Sequence, residues 1–69
     1  MVEIFRKRFS EELKQSGMTT KELAEKVGIS PEMVTQYNTT KKLPSLDTFI
    51  RICQALDVSA DYLLGLKDE

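Results

Sequence analysis

Glu32, Thr35, Gln36 and Thr39 are the residues of this chain whose types and spacing could do chemistry together. At intervals of three and four they share one face of a helix, with Pro31 at its leading edge. A carboxylate, two hydroxyls and a carboxamide side by side donate and accept hydrogen bonds, and such a face recognises a surface without altering it. Covalent chemistry has little to work with. There is no histidine, and Cys53 is the sole cysteine, so an intramolecular disulfide and a pair of zinc-binding thiols are both excluded. Cys53 has no imidazole to act as its base and reads as a small hydrophobe. No glycine-rich phosphate loop or nucleophile elbow occurs, and 69 residues leave little room for a pocket that shields acid and base groups from water. The expectation is a chain with no catalytic function, no cofactor and no metal.

Holding that polar face outward requires a helix anchored from behind, and Val34 and Tyr37 supply the anchor. Ser30 is the cap, Pro31 suits the first helical position, and Ile29 and Val34 form a hydrophobic staple around them. Upstream, Thr19 and Glu22 have capping-box spacing, Met18 and Leu23 make a second staple, and Leu23, Ala24 and Val27 form a buried stripe. Gly28 can take the positive φ of a sharp exit. With the caps Thr19 and Ser30 so close, the two helices are joined by a very short turn, the helix-turn-helix arrangement.

The same punctuation predicts three more helices. Helix one covers about residues 2 to 15, with Ile4, Phe5, Phe9 and Leu13 inward and Gly17 beyond its end. Its charges, Arg6 to Arg8 with Glu11 and Glu12, read as a solvated face. Pro44 and Ser45 open a fourth helix with Leu46, Phe49, Ile50, Cys53 and Leu56 on one face, widened by Ile52; this helix is expected to be the most buried. Ser59 caps a last short helix, with Val58 and Leu63 as staple. The fold class is therefore all-α: a compact bundle of five short helices in one domain, residues 1 to 69, with the helix-turn-helix proper at about 19 to 39.

The formal charge of -1 hides an asymmetry: residues 1 to 43 carry eight Lys/Arg against six Asp/Glu, whereas residues 44 to 69 carry two against five. The half that is net positive contains the polar helix. Arg6, Lys7 and Arg8 have no apolar stretch behind them, which argues against a signal peptide or membrane anchor and favours the cytoplasm.

The run GMTTKELAEKVGIS, residues 17 to 30, followed by Val34, Tyr37, Lys41, Lys42 and Pro44, resembles the phage lambda repressor and Cro family of helix-turn-helix regulators. The stretch PSLDTFIRICQALDVSADYLLG, residues 44 to 65, resembles that family's fourth and fifth helices. The resemblance implies a repressor-type regulator that binds double-stranded DNA as a homodimer, with the third helix in the major groove. Pro31, Glu32, Thr35, Gln36 and Thr39 then become the base readers, since glutamine can pair with adenine, threonine can touch a thymine methyl and glutamate can accept from cytosine. By the family's pattern, Thr20 and Lys21 approach one phosphate backbone and Asn38, Thr40, Lys41 and Lys42 another, with Ser30 as a further phosphate contact. Tyr62, Leu63, Leu64 and Leu66 of the last helix, Asp61 to Leu66, become the dimer surface. No small-molecule effector site and no membrane association are implied. The chain departs from the family at Thr20, where glutamine is usual, on the third helix, which lacks the usual basic residue, and at Asn38 to Thr40 beyond the aromatic residue. A second reading therefore stands beside the first: a module that binds DNA weakly and works mainly through a protein partner.

Overall fold

Thr19, Ser30, Ser45 and Ser59 each start a helix in the computed structural model, which describes residues 2–68. The elements are α1 (Val2–Ser16), α2 (Thr20–Val27), α3 (Pro31–Thr39), α4 (Leu46–Leu56) and α5 (Ala60–Leu63), with no strand among the described residues. Met1 and Glu69, the ends of the expected span, lie outside them. Among those residues, no helix is long and apolar enough to cross a membrane.

The caps work as local chemistry requires. Thr19 Oγ1 accepts the Glu22 amide at 3.1 Å while the Thr19 amide donates to the Glu22 carboxylate at 2.9 Å. That backbone hydrogen bond, received by the ionised carboxylate, holds the Glu22 acid below its ordinary range. Ser30, Ser45 and Ser59 accept from the amides of Met33, Thr48 and Tyr62 at 3.2, 3.3 and 3.1 Å. Met18, Ile29 and Val58, each just before a cap, pack against the core, and Leu23, Val34 and Leu63 inside the helices are buried.

The core joins all five helices. Phe9 of α1, fully buried, stacks on Phe5 with ring centroids 5.5 Å apart and meets Tyr37 of α3 edge-on at 6.4 Å; Phe5 reaches Phe49 of α4 at 6.1 Å. Ala24 of α2 is buried where α2 packs against its neighbours α3 and α4, and a longer side chain there would force the helices apart. Gly28 ends α2 at φ +85°, the left-handed turn that reverses the chain into α3, and its amide donates to the Ala24 carbonyl at 2.8 Å.

Three expectations need correction. In α4 the inward stripe is Phe49, Ile52, Cys53 and Leu56, spaced i, i+3, i+4, i+7; centring the arc there turns Leu46 and Ile50 to its edge, and they are 79% and 53% exposed. That helix is also not the most buried: it buries Phe49 and Ile52, whereas α1 and α2 bury three residues each. Finally, α5 stops at Leu63, so Leu64 to Leu66 lie past its end, where the chain bends back with the Leu66 amide donating to the Asp61 carbonyl at 2.8 Å.

Candidate nucleic-acid interface

Val34 and Tyr37 are each 1% exposed and fix the roll of α3 about its axis. The opposite side is left to solvent: Pro31, Glu32, Thr35, Gln36 and Thr39 are all exposed along it. The helix brings together every residue expected on this face. Two of them have already committed their donors. Thr35 Oγ1 donates to the Pro31 carbonyl at 3.2 Å and Thr39 Oγ1 to the Thr35 carbonyl at 2.8 Å, so each offers outward a methyl group and oxygen lone pairs. Glu32 as a carboxylate has acceptors and no donor. The face is thus richer in acceptors and methyl groups than the residue types alone suggest, and Gln36 is the residue on it that carries N–H donors.

The residues expected beside it are arranged unevenly. Lys21, Ser30, Thr40, Lys41 and Lys42 are exposed, while Thr20 is half-buried in the first turn of α2. Asn38 turns inward. It sits four residues after Val34 on the buried stripe of α3, and its Oδ1 is enclosed without a hydrogen-bond partner. The spacing that puts Tyr37 in the core also draws Asn38 toward it, away from the exposed loop that follows. Ser30 Oγ is occupied as an acceptor by the α3 cap but keeps its own hydrogen to donate.

Charge is distributed to the same effect. Among the described residues the ion pairs are Arg8 with Asp68 at 3.8 Å, Arg51 with Asp47 at 3.4 Å and Lys67 with Asp61 at 3.7 Å. Lys21 in the first turn of α2 and Lys41 and Lys42 just past the end of α3, like Arg6, Lys7, Lys14 and Lys26, take part in none of them.

The four residues expected at the dimer surface divide. Leu63 is fully buried and belongs to the core, because α5 seals the bundle against α1 through it. Tyr62 and Leu64 are half-buried, and Leu66 is 71% exposed. Leu64 also lines an apolar cavity of about 210 Å³ with Phe5, Leu43, Pro44, Leu46 and Phe49.

Two residues escaped the sequence reading. Arg8 is not part of a solvated face: its Nη1 donates to the carbonyls of Tyr62 and Lys67, both at 2.6 Å, and its guanidinium lies 4.4 Å from the Tyr62 ring centroid. Arg51 of α4 reaches the Val27 carbonyl at the end of α2 at 3.4 Å, adding positive charge where the helix dipole is negative. Burial raises the half-buried Cys53 thiol above its ordinary range, which disfavours the reactive thiolate.

The helix-turn-helix family profile matches residues 10–63. The chain is 40% identical over 52 residues to the uncharacterised HTH-type transcriptional regulator YobD of Bacillus subtilis (strain 168), covering 75% of this chain and 46% of that protein. It is 40% identical over 63 residues to the HTH-type transcriptional regulator ImmR of the same organism, covering 91% and 49%, and 42% identical over 60 residues to the uncharacterised HTH-type regulator YqaE, covering 81% and 52%. The chain spans about half the length of these relatives, and no solved structure gives a significant match. With the capped α2, the Gly28 turn and the outward polar face of α3 all in place, the chain belongs to the helix-turn-helix family, of the lambda repressor-like type that its sequence resembles.

Proposed function

We propose that this chain is a sequence-specific DNA-binding transcriptional regulator of repressor type, which inserts α3 into the major groove of double-stranded DNA in the cytoplasm. The observation that carries the reading is the outer face of α3: five polar or rigid residues, Pro31, Glu32, Thr35, Gln36 and Thr39, stand exposed in a row although none has a role in the core. Lys21 of α2 and Lys41 and Lys42 after α3, in no ion pair among the described residues, supply the sequence-independent attraction, aided by Thr20, Ser30 and Thr40. Asn38, turned inward, contributes least. The chain acts as a homodimer on a two-fold site whose halves lie about 34 Å apart on one side of the duplex. Leu66, exposed beside half-buried Tyr62 and Leu64, supports the dimer, since an apolar side chain 71% open to water gains by being covered.

Selection of bound sequences from a random duplex pool at two salt concentrations tests the reading. The expected result is a palindromic motif that survives the higher salt. Weak binding that vanishes as salt rises, with no motif, would favour the protein-partner reading, for which Glu32 on the groove-facing side of α3 is the supporting observation.

A further inference from the structure

Lys42 lies in the segment after α3, yet its ammonium returns to the reading face: Nζ donates to Gln36 Oε1 at 3.1 Å. The backbone between them is folded to allow this. The Thr40 amide and the Thr40 hydroxyl both donate to the Gln36 carbonyl, at 2.9 and 2.5 Å, and the same hydroxyl oxygen accepts the Lys42 amide at 3.2 Å. Residues 40 to 42 are thus wrapped onto the last turn of α3, with the Lys42 side chain pointing back along the helix toward Gln36.

The consequence lies in what Gln36 can still offer. A free glutamine suits adenine, because it accepts from N6 and donates to N7 together. Here the ammonium occupies the acceptor side of the carboxamide, leaving two Nε2 hydrogens on Gln36 and two on Lys42 directed away from the contact. The second lone pair of Oε1 does not restore adenine, since its amino group would have to approach beside a positive charge. Guanine presents two acceptors, O6 and N7, and matches a surface made only of donors. We propose, building on the reading that α3 enters the major groove, that Gln36 and Lys42 form one donor unit that selects guanine over adenine. Lys42 is then a specificity-determining residue in addition to any phosphate it neutralises.

The test is selection from a random duplex pool with the unaltered chain and with Gln36→Ala, Lys42→Met, Lys42→Arg and Lys41→Met. Gln36→Ala identifies the position concerned by losing preference there. At that position the unaltered chain and Lys42→Arg take guanine, Lys42→Met turns to adenine by on the order of tenfold, and Lys41→Met changes affinity alone. Base preference is a ratio within one sample, so a lower folded fraction cannot produce the switch. Adenine at that position for the unaltered chain, or the same base for the unaltered chain and Lys42→Met, overturns the pairing while leaving the DNA reading intact. No enriched sequence for the unaltered chain overturns the DNA reading and the pairing with it.

Discussion

The Arg8 guanidinium makes three contacts at once, with the carbonyls of Tyr62 and Lys67 and with the Tyr62 ring, and its side chain is only 16% exposed. Charge-assisted hydrogen bonds of this kind and a cation over an aromatic face support a cost of about 1–3 kcal/mol for Arg8→Ala, measured by urea unfolding. Arg8→Lys should recover only part of it, since an ammonium cannot reproduce a planar fork. The ion pair with Asp68 adds little, because that carboxylate is fully exposed. None of this was legible in the sequence: the partners are backbone carbonyls 54 and 59 residues away, which carry no residue-type signal. The α3 face was legible because helical spacing alone separates Val34 and Tyr37 from Thr35 and Gln36. What spacing could not disclose is how the hydroxyls are spent. Thr35 Oγ1 already donates within the helix, so its methyl group is its main outward feature. Thr35→Val should therefore leave the selected DNA motif unchanged, whereas Thr35→Ser, which loses the methyl, should relax one position; selection from the same random pool distinguishes them.

At the scale of the helix, the capping box of α2 ties stability to pH. The folded state holds Glu22 below its ordinary acid range because the ionised carboxylate accepts the Thr19 amide. A depressed folded value stabilises the fold above the ordinary glutamate range of about 4.3, and that contribution is lost as pH falls through the folded value. Glu22→Gln keeps an acceptor but removes the titration. Its melting temperature should thus fall less between pH 7 and pH 3 than that of the unaltered chain; an equal fall in both would detach the box from the acid response. The caps were readable because their chemistry is local, a hydroxyl and an amide three residues apart. The tilt of α4 was not, since Leu46, Ile50 and Ile52 are equally apolar and only packing against α1 and α2 decides which turns inward. Nor was the end of that helix, where Asp57 takes φ +53° in a position that usually calls for glycine or asparagine.

For the molecule as a whole, net charge is a poor guide and its placement a better one. Two of the acids in the net-negative C-terminal half, Asp47 and Asp61, lie beside that half's own cations and Asp68 lies beside Arg8 of α1, while Lys21 of α2 and Lys41 and Lys42 after α3 are unpaired among the described residues. If the chain works on DNA as proposed, one copy buries too little surface to bind tightly, and doubling it would supply the missing affinity. The apolar surface available for that includes Leu66, 71% exposed, and the cavity that half-buried Leu64 lines with Leu43 and Leu46, which are 39% and 79% exposed. If two copies meet there, sedimentation equilibrium at tens of micromolar should find a dimer, and Leu66→Glu should shift it to monomer. Because Leu66 is 71% exposed, the same change should leave the melting temperature of the monomer nearly unaltered, which separates a lost interface from a damaged core. On DNA, Leu66→Glu should then weaken binding to a palindromic site while sparing binding to a single half-site, since α3 and its flanking lysines are untouched. A monomer throughout that concentration range for the unaltered chain would mean that the two copies meet only on the duplex, and the palindrome itself would have to supply the coupling.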